Sequence, residues 1–196
     1  GEDKTGKLIV QASTTNLKRV SLELGGKAPN IVFADADIDA AVKGAITGIF
    51  FNQGQVCCAG SRLFLEESIH DEFMTKLKER VAKMRQGDGS DEKTHIGPQV
   101  SKEQQERVLN YIEIAKGEGA VVACGGQSPA DMKKGFFVQL TVLTGVNNTM
   151  RIAQEEVFGP VLAVIPFKSM DEVAEQANAT TFGLSGAVWT RDIKKA

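Results

Sequence analysis

The chain has 196 residues, of which 42% are hydrophobic and 24% are charged, a composition typical of one well-packed globular domain and unlike a disordered or fibrous protein. Its 23 basic and 25 acidic residues give a net charge of −2, and the absence of a basic stripe argues against a nucleic-acid partner. No apolar run approaches the roughly 18 residues of a membrane span, and residues 1–20 lack a signal-peptide core, so we expect no membrane association.

The first half of the chain alternates helix-like and strand-like patterns. In chain order it predicts a helix over 4–15, strands over 19–26 and 28–33, a helix over 38–51, a strand over 62–67 and a helix over 68–85. The first strand ends in a glycine turn. Asp35 and Asp37 offer N-caps to the helix that begins near Ile38.

The second half continues the alternation after a loop over residues 86–98. It predicts a helix over 102–118, strands over 120–126, 135–146 and 160–167, a helix over 170–179 and a strand over 185–190. The alternation favours an α/β fold with an open, mostly parallel sheet and helices on both faces. The chain begins on a turn that leads into a helix and stops where a new helix is expected to begin, so we interpret it as an excised piece.

Three cysteines occur, of which Cys57 and Cys58 are adjacent and Cys124 stands alone. An odd count of cysteines without spaced pairs predicts free thiols in a reducing, cytoplasmic setting. Two histidines and no Cys-x-x-Cys pair offer no recognisable zinc ligands, so we expect no metal.

Cys57 lies on a glycine-punctuated turn between a helix and a strand. On such a turn a sulfur can be exposed while nearby backbone N–H groups stabilise negative charge. Taken alone, the pair Cys57 and Cys58 also fits two small buried residues, which is how free cysteines usually occur. We expect Cys57 near the carboxyl edge of the sheet.

Glu23 lies at the end of an apolar strand, before Gly25 and Gly26. A carboxylate at the carboxyl end of a strand in an open α/β sheet lies where ligands bind. A salt bridge to Lys27 is the ordinary alternative. The segment EEVFGPV (155–161) places two acids before an aromatic residue and a Gly-Pro turn, and alone it reads as a helix end followed by a loop.

Together these segments resemble the aldehyde dehydrogenase superfamily from end to end. LELGGKAPNIVFADADIDAAV (22–42) is similar to the glutamate signature of that family, and FFNQGQVCCAGSR (50–62) is similar to its cysteine signature. EEVFGPVLAV and ANATTFGLSGAVWT resemble later family blocks, and the 34 positions from Glu23 to Cys57 agree with the family spacing. The closest likeness is to the non-phosphorylating branch that oxidises a broad range of aldehydes.

The resemblance implies NAD(P)-dependent oxidation of an aldehyde to a carboxylic acid. Cys57 would be the nucleophile that forms a thiohemiacetal and then a thioester, with Cys58 only its neighbour. Glu23 would be the general base that activates water. The family holds the oxyanion with the N–H of the nucleophile and with an asparagine that would lie upstream of Gly1.

The resemblance also implies how NAD or NADP is bound. Glu156 would form a hydrogen bond to the nicotinamide ribose, and Phe158 would pack beside the nicotinamide ring. Gln104 would contact the ribose as well. Residues 1–22 would be the tail of the cofactor-binding domain, and residues 23–196 most of the catalytic domain, truncated at its C-terminal end. The parent would be a homodimer or a homotetramer, and the piece alone would be inactive as a dehydrogenase.

One segment departs from the family. Most members have Gly-Ser-Thr-Glu where this chain has Gly1 followed by Glu2, Asp3 and Lys4. By resemblance that segment opens the helix whose N-terminus faces the cofactor pyrophosphate, so Gly1 is a further candidate for cofactor binding. Two acids near an anion are, however, unfavourable. Val56, before the nucleophile, implies an apolar aldehyde pocket, whereas Lys27 and Asn52 are interpreted as supports of their turns.

Three alternatives remain open. The first is a semialdehyde or betaine-aldehyde specialist with the same chemistry, and the second is an acylating enzyme that uses coenzyme A. Glu23 argues against the second, because hydrolysis is what needs a water-activating base. The third is a non-catalytic structural relative, which would be expected to lose Cys57 or Glu23.

Overall fold

A computed structural model of the protein describes all 196 residues, and six strands in it form one sheet. The strands are β1 (Pro29–Val32), β2 (Arg62–Glu66), β3 (Val121–Cys124), β4 (Thr141–Thr144), β5 (Val161–Phe167) and β6 (Ala187–Trp189). Their order across the sheet is β3-β4-β5-β2-β1-β6. Every neighbouring pair is parallel except β3 with β4. The predicted open, mostly parallel sheet is confirmed.

Six α-helices connect or flank the strands. They are α1 (Asp3–Ser13), α2 (Ile38–Phe50), α3 (His70–Val81), α4 (Lys102–Gly117), α5 (Arg151–Gln154) and α6 (Met170–Asn178). Short 3₁₀ turns follow α2 (Phe51–Gly54) and precede α3 (Glu67–Ile69). The Asp37 carboxylate caps α2 by accepting from the Ala40 N–H, as the sequence predicts. None of the helices combines the length and apolarity that crossing a bilayer requires.

The helices cover both faces of the sheet because alternate strand residues point to opposite sides. On β2, Phe64 belongs to one core cluster, which contains the buried residues of α4, α5 and α6. Leu63 and Leu65 belong to the other, which contains those of α2 and α3. Two apolar cores therefore hold β2 and β5 rigidly at the centre of the molecule.

Two element predictions are wrong. Residues 19–26 form no strand, since this segment pairs with no other strand of the chain. Its apolar alternation, with half-buried Leu22 and Leu24, reflects contact with α1, where both leucines lie against Gly6. Residues 190–196 contain a turn and no helix, and Thr190 and Lys195 instead bond the Asp35 carboxylate.

Candidate active site

A cleft of about 370 Å³ lies beside the amino ends of β1, β2 and β5. This volume is within the roughly 300–1,000 Å³ of small-molecule sites. The cleft is lined by Gly1, Glu23, Leu24, Gly25, Gln55, Val56, Cys57, Glu156 and Phe158. The structure thus brings five of the six candidate residues together, and the sixth, Gln104, lies outside the lining.

The site lies at the edge of the sheet opposite to the one predicted. Cys57 precedes β2, Glu156 precedes β5, and Gly25 precedes β1, so all three lie at the amino ends of parallel strands. In a parallel β-α-β unit the helix carries the chain back to the amino edge, and its connection to the next strand must lie there. The expectation of a carboxyl-edge site is therefore wrong.

A left-handed turn sets the position of Cys57. Three consecutive residues have positive φ, namely Asn52 (47°), Gln53 (59°) and Gly54 (71°). The Asn52 amide closes the turn by donating to the Gln55 carbonyl over 3.1 Å, in line with its predicted supporting role. A methyl group at Gly54 would lie 2.2 Å from the Gly159 carbonyl oxygen, so only glycine fits at this point.

The adjacent thiols occupy different environments. Cys57 is partly buried and lines the cleft, whereas Cys58 is exposed and does not. The Cys58 carbonyl accepts from the Ser185 hydroxyl over 3.2 Å. The N–H of Cys57 donates to no backbone carbonyl. It is therefore free to donate to the oxygen of a substrate whose carbon is attached to the Cys57 sulfur.

Glu23 reaches the cleft from a segment with few hydrogen bonds. Its side chain is exposed at the rim. The amino group of Gly1 donates to the Glu23 carbonyl over 2.8 Å, so this contact holds the backbone and leaves the carboxylate unpaired. A water-exposed carboxylate that lines the same cleft as a thiol is suited to accept a proton from water.

Gly25 and Gly26 allow two parts of the site to approach closely. A methyl group at Gly25 would lie 2.7 Å from a Glu156 carboxylate oxygen, and one at Gly26 would lie 2.3 Å from the Cys57 carbonyl oxygen. The Gly26 N–H donates to the other Glu156 oxygen over 3.1 Å. Neither glycine has positive φ, so they are required by proximity and not by a turn.

The loop before β5 carries Glu156 and Phe158 into the cleft. Phe158 is 37% exposed and has a φ of 59°, a left-handed value that is unusual for a bulky residue. Gln104 donates from its amide nitrogen to the carbonyls of Val157 (3.1 Å) and Phe158 (2.8 Å). Gln104 therefore acts on the back of this loop, behind the cleft.

The neighbouring Glu155 points away from the cleft into a fixed ion pair. The Arg151 guanidinium donates to both of its oxygens, at 2.6 and 2.9 Å, and the Tyr111 hydroxyl donates at 2.6 Å. These bonds, with that of Arg151 the larger contributor, lower the pKa of Glu155 to about 2. Glu155 is thus a structural anchor beside the functional candidate Glu156.

Two buried cations lie behind the site, one of them unforeseen. Arg62 donates to the Lys27 and Ala177 carbonyls over 3.0 and 2.7 Å, and so ties the start of β1 to the end of α6. Burial, and secondarily the Arg62 charge, lowers the pKa of Lys27 to about 7 against the opposing pull of Glu156. The bonded atom of Lys27 is its main-chain carbonyl, so support of this turn by the Lys27 side chain stays a prediction. A charged residue opening an apolar strand was the sequence signal for Arg62.

A larger groove of about 670 Å³ runs between α1 and residues 181–184. Its lining includes Leu22, Leu24 and Phe182 but no cysteine or histidine, whereas the smaller cleft contains Cys57. Glu2, which differs from the usual family residue, is the N-cap of α1, but its side chain makes no capping hydrogen bond. Asp3 begins the helix. An acid in the first turn is favourable for the helix itself.

The chain is similar to known proteins over its whole length. A profile described as "Aldehyde dehydrogenase family" matches residues 1–196. Retinal dehydrogenase 2 of Mus musculus is 52% identical over 197 residues, which cover 100% of this chain and 38% of the relative. Betaine aldehyde dehydrogenase of Bacillus subtilis (strain 168) is 49% identical, with 100% and 40% covered.

Solved structures agree with the sequence comparisons. An aldehyde dehydrogenase from Bacillus cereus in complex with NAD+ is 48% identical and has a TM-score of 0.95, with 99% of this chain and 39% of that chain covered. A betaine aldehyde dehydrogenase from Staphylococcus aureus in complex with NAD+ is 45% identical and also has a TM-score of 0.95. The chain spans about two fifths of the length of these proteins.

Proposed function

The chain belongs to the aldehyde dehydrogenase family, and from this premise we propose that it supplies the thiol and the base for NAD(P)-dependent oxidation of an aldehyde to a carboxylic acid. The observation that carries the proposal is one cleft lined by a partly buried Cys57, a water-exposed Glu23, Glu156 and Phe158. The net reaction consumes aldehyde, NAD(P)+ and water, and yields the acid, NAD(P)H and a proton.

Cys57 is the nucleophile of this proposal. Its sulfur adds to the aldehyde carbon and gives a thiohemiacetal, whose oxygen bears the developing negative charge. The N–H of Cys57, which bonds no backbone carbonyl, is placed to donate to that oxygen. After loss of hydride from the same carbon, the acyl group remains on the sulfur as a thioester.

The cleft residues fit the nicotinamide end of the cofactor. A volume of about 370 Å³ admits a nucleotide half rather than a whole dinucleotide. One Glu156 oxygen is bonded by Gly26, which leaves acceptor capacity for ribose hydroxyls, and the Phe158 ring offers an apolar edge. When bound, NAD(P)+ supplies the acceptor for the hydride. The choice between NAD and NADP remains open, although two similar structures are NAD+ complexes.

Glu23 completes the reaction by removing a proton from the water that attacks the thioester. Hydrolysis releases the carboxylic acid and returns Cys57 to its free state. A general base contributes about 10²–10⁴-fold to such a step. The presence of this carboxylate disfavours acyl transfer to coenzyme A.

The remaining features of the enzyme are proposals about a longer protein. Residues 1–22 would end a cofactor-binding domain, and residues 23–196 would form most of the catalytic domain. An oxyanion asparagine outside this chain, a cytoplasmic location and a homodimeric or homotetrameric parent complete the proposal. Loss of one oxyanion donor costs about 10²–10³-fold, so the chain alone should not reduce NAD+.

The test compares the full-length protein with the 196-residue chain, using propanal with excess NAD+ or NADP+ and the absorbance of the reduced cofactor. We expect turnover only from the full-length protein. The isolated chain should keep slow ester hydrolysis if the Cys57 turn keeps its shape, because that reaction needs no hydride acceptor. Failure of the full-length protein to oxidise any of a panel of aldehydes would contradict the proposal.

Two alternatives to an enzyme that oxidises a broad range of aldehydes have tests of their own. A betaine-aldehyde specialist is supported by the relative from Bacillus subtilis at 49% identity, which is close to the 52% of the retinal dehydrogenase. Comparing kcat/KM for betaine aldehyde, a semialdehyde, propanal and retinal separates these possibilities. A non-catalytic relative would instead show no fast-reacting thiol, so iodoacetamide should label Cys57 well before Cys58 and Cys124 if the protein is catalytic.

A further inference from the structure

One face of α4 is matched, residue by residue, to the loop that carries Glu156 and Phe158. Gln104, Arg107, Val108 and Tyr111 are spaced by three, four and seven positions, which places them on the same side of the helix. They face residues 155–159, which we term the cofactor loop. Val108 is so close to Gly159 that a methyl group there would lie 2.4 Å from a Val108 methyl carbon.

The other three side chains bind the cofactor loop in consecutive order. The bonds run from the Tyr111 hydroxyl to a Glu155 carboxylate oxygen (2.6 Å), from the Arg107 guanidinium to the Glu156 carbonyl (3.0 Å), and from the Gln104 amide nitrogen to the Val157 (3.1 Å) and Phe158 (2.8 Å) carbonyls. A helix face that bonds four successive loop residues fixes the path of the loop backbone.

The two Gln104 bonds act on the torsions of Phe158. The Val157 carbonyl belongs to the peptide plane before the Phe158 Cα, and the Phe158 carbonyl belongs to the plane after it. Holding both planes from one nitrogen restrains φ and ψ together. Phe158 needs such restraint because its φ of 59° is a conformation that bulky residues avoid.

The same bonds limit how Gln104 can meet a ligand. A side-chain amide nitrogen has two hydrogens, and this nitrogen already donates to two loop carbonyls. Only the amide oxygen is left, and Gln104 is not part of the cleft lining. The predicted direct contact with the ribose would therefore have to use that oxygen.

We propose that Gln104 is a positioning residue that holds Phe158 in its left-handed conformation and so sets the place of the aromatic ring at the mouth of the cleft. The consequence for the cofactor rests on the proposed function of Phe158. The conformational part does not, because it concerns the free protein.

The next residue of α4 provides a matched control. Gln105 also donates twice from its amide nitrogen, to the Phe137 carbonyl (2.7 Å) and the Ser128 hydroxyl (3.2 Å). It has the same residue type and the same number of bonds, but it holds the 128–137 segment, which contributes nothing to the cleft lining. Loss of either glutamine should destabilise α4 to the same extent. A difference between the two variants therefore reports which segment the glutamine holds.

The first experiment is limited digestion of the cofactor-free full-length protein with chymotrypsin, with fragments identified by mass spectrometry. Gln104→Glu keeps the shape of the side chain and removes its donors. It should raise cleavage after Phe158 about tenfold, because loss of two hydrogen bonds favours the open loop. Cleavage after Phe136 should stay unchanged. Gln105→Glu should give the reverse pattern.

Alanine variants at both positions exclude an effect of the added charge. If Gln104→Ala and Gln104→Glu leave cleavage after Phe158 at the wild-type rate, Gln104 does not hold the loop and the inference is wrong. Equal increases at both sites in every variant would show general destabilisation and also overturn it. A residue that acted only by touching the cofactor would leave cleavage unchanged in this cofactor-free assay.

The second experiment measures steady-state kinetics of the full-length variants with propanal and NAD+. Gln104→Ala should raise the KM for NAD+ and lower kcat, each about three- to tenfold as expected for a misplaced cofactor contact, whereas Gln105→Ala should keep both. Altered digestion with unaltered kinetics would overturn the link between Phe158 and the cofactor. If the wild-type protein oxidises no aldehyde, the proposed function fails while the digestion assay still decides the conformational part.

Discussion

The wall of the cleft that carries Cys57 and Phe158 continues directly into strands of the central sheet. The wall that carries Glu23 contacts the rest of the molecule at only a few points. The first, the sheet wall, comprises residues 51–57 and 155–159. The second, the N-terminal wall, comprises residues 1–26. The sheet wall leads directly into β2 and β5, which are buried along almost their full length.

The N-terminal wall buries little of its own surface. In α1 only Gly6 is buried, while Leu8, Ile9 and Val10 are 58%, 45% and 46% exposed. The ordered contacts of this wall are the Gly1 bond to the Glu23 carbonyl and the close approaches at Gly25 and Gly26. Within these 196 residues the N-terminal wall therefore makes fewer buried contacts than the sheet wall does.

The difference separates two kinds of catalytic group. If Cys57 is the nucleophile, as we propose, it must present its sulfur and its N–H in one geometry before the substrate arrives. A base that activates water has a mobile partner and tolerates movement. In the proposed mechanism the wall that continues into the buried strands β2 and β5 carries the group whose geometry decides the first step.

Replacing the nucleophile tests the sheet wall most severely. In the full-length protein Cys57→Ser should lower kcat on the order of 10³-fold or more, because a hydroxyl is a far weaker nucleophile at neutral pH. Cofactor binding, measured by fluorescence titration, should persist. Cys58→Ser is the matched control and should keep most activity. Equal losses in the two variants would contradict the assignment of Cys57.

Replacing the base tests the N-terminal wall. Glu23→Gln should slow release of the acid by about 10²–10⁴-fold, since the amide cannot take a proton from water. The first turnover should still produce a burst of NADH in a stopped-flow experiment, because thioester formation precedes this step. A burst lost together with steady-state turnover would place Glu23 in the activation of Cys57 instead.

Two glycine-to-alanine substitutions test, through the stability of the protein, how tightly the turn at Gly54 is packed. Gly54→Ala should destabilise the protein by about 2–4 kcal/mol, because its left-handed φ and its contact with Gly159 leave no room for a methyl group. Gly48→Ala, in the exposed interior of α2 with no atom nearby, should stabilise by about 0.5–1 kcal/mol. Urea denaturation gives both values, and equal effects would contradict the tight packing of the turn.

Lys27 lies where the N-terminal wall enters β1, and its burial predicts a smaller, pH-dependent effect. Its pKa is lowered from 10.5 to about 7 on folding, so between these values the unfolded chain binds the extra proton and stability rises with pH. Lys27→Met should raise the melting temperature by a few degrees at pH 7, and the gain should shrink towards pH 10. A gain that is constant across this range would show that Lys27 does not titrate as described.

Much of the fold could be predicted because burial imposes regular patterns. Apolar residues at helical spacing predicted α3 and α4, and continuous apolar runs predicted β2 and β5. The same patterns misled at residues 19–26, where alternation arises from packing on a helix and no partner strand exists. Local sequence does not reveal whether an alternating segment finds a neighbour to pair with.

The candidate residues could be named from the sequence, and five of the six line one cleft, but the geometry of that cleft was less predictable. The two signature segments indicated Cys57 and Glu23 through resemblance, but the edge of the sheet was inferred from a general rule and was wrong. The topology itself, with a helix leading into β2, fixes the amino edge. The Gln104 bonds to backbone carbonyls cannot be recognised in the sequence, because the partners are main-chain atoms that every residue has. For Arg62 the sequence shows only a charged residue at the start of an apolar strand, and not its partners.

The order of the strands also determines when the cleft comes into existence during folding. β1 pairs with β6 and β2 pairs with β5, so the two strands of each of these pairs are separated by about a hundred residues or more along the chain. Such long-range pairings close large loops and form slowly. The contact between Gly54 and Gly159 depends on the β2–β5 pairing. A growing chain therefore exposes Cys57 as an ordinary thiol long before β5 arrives to make it part of a site.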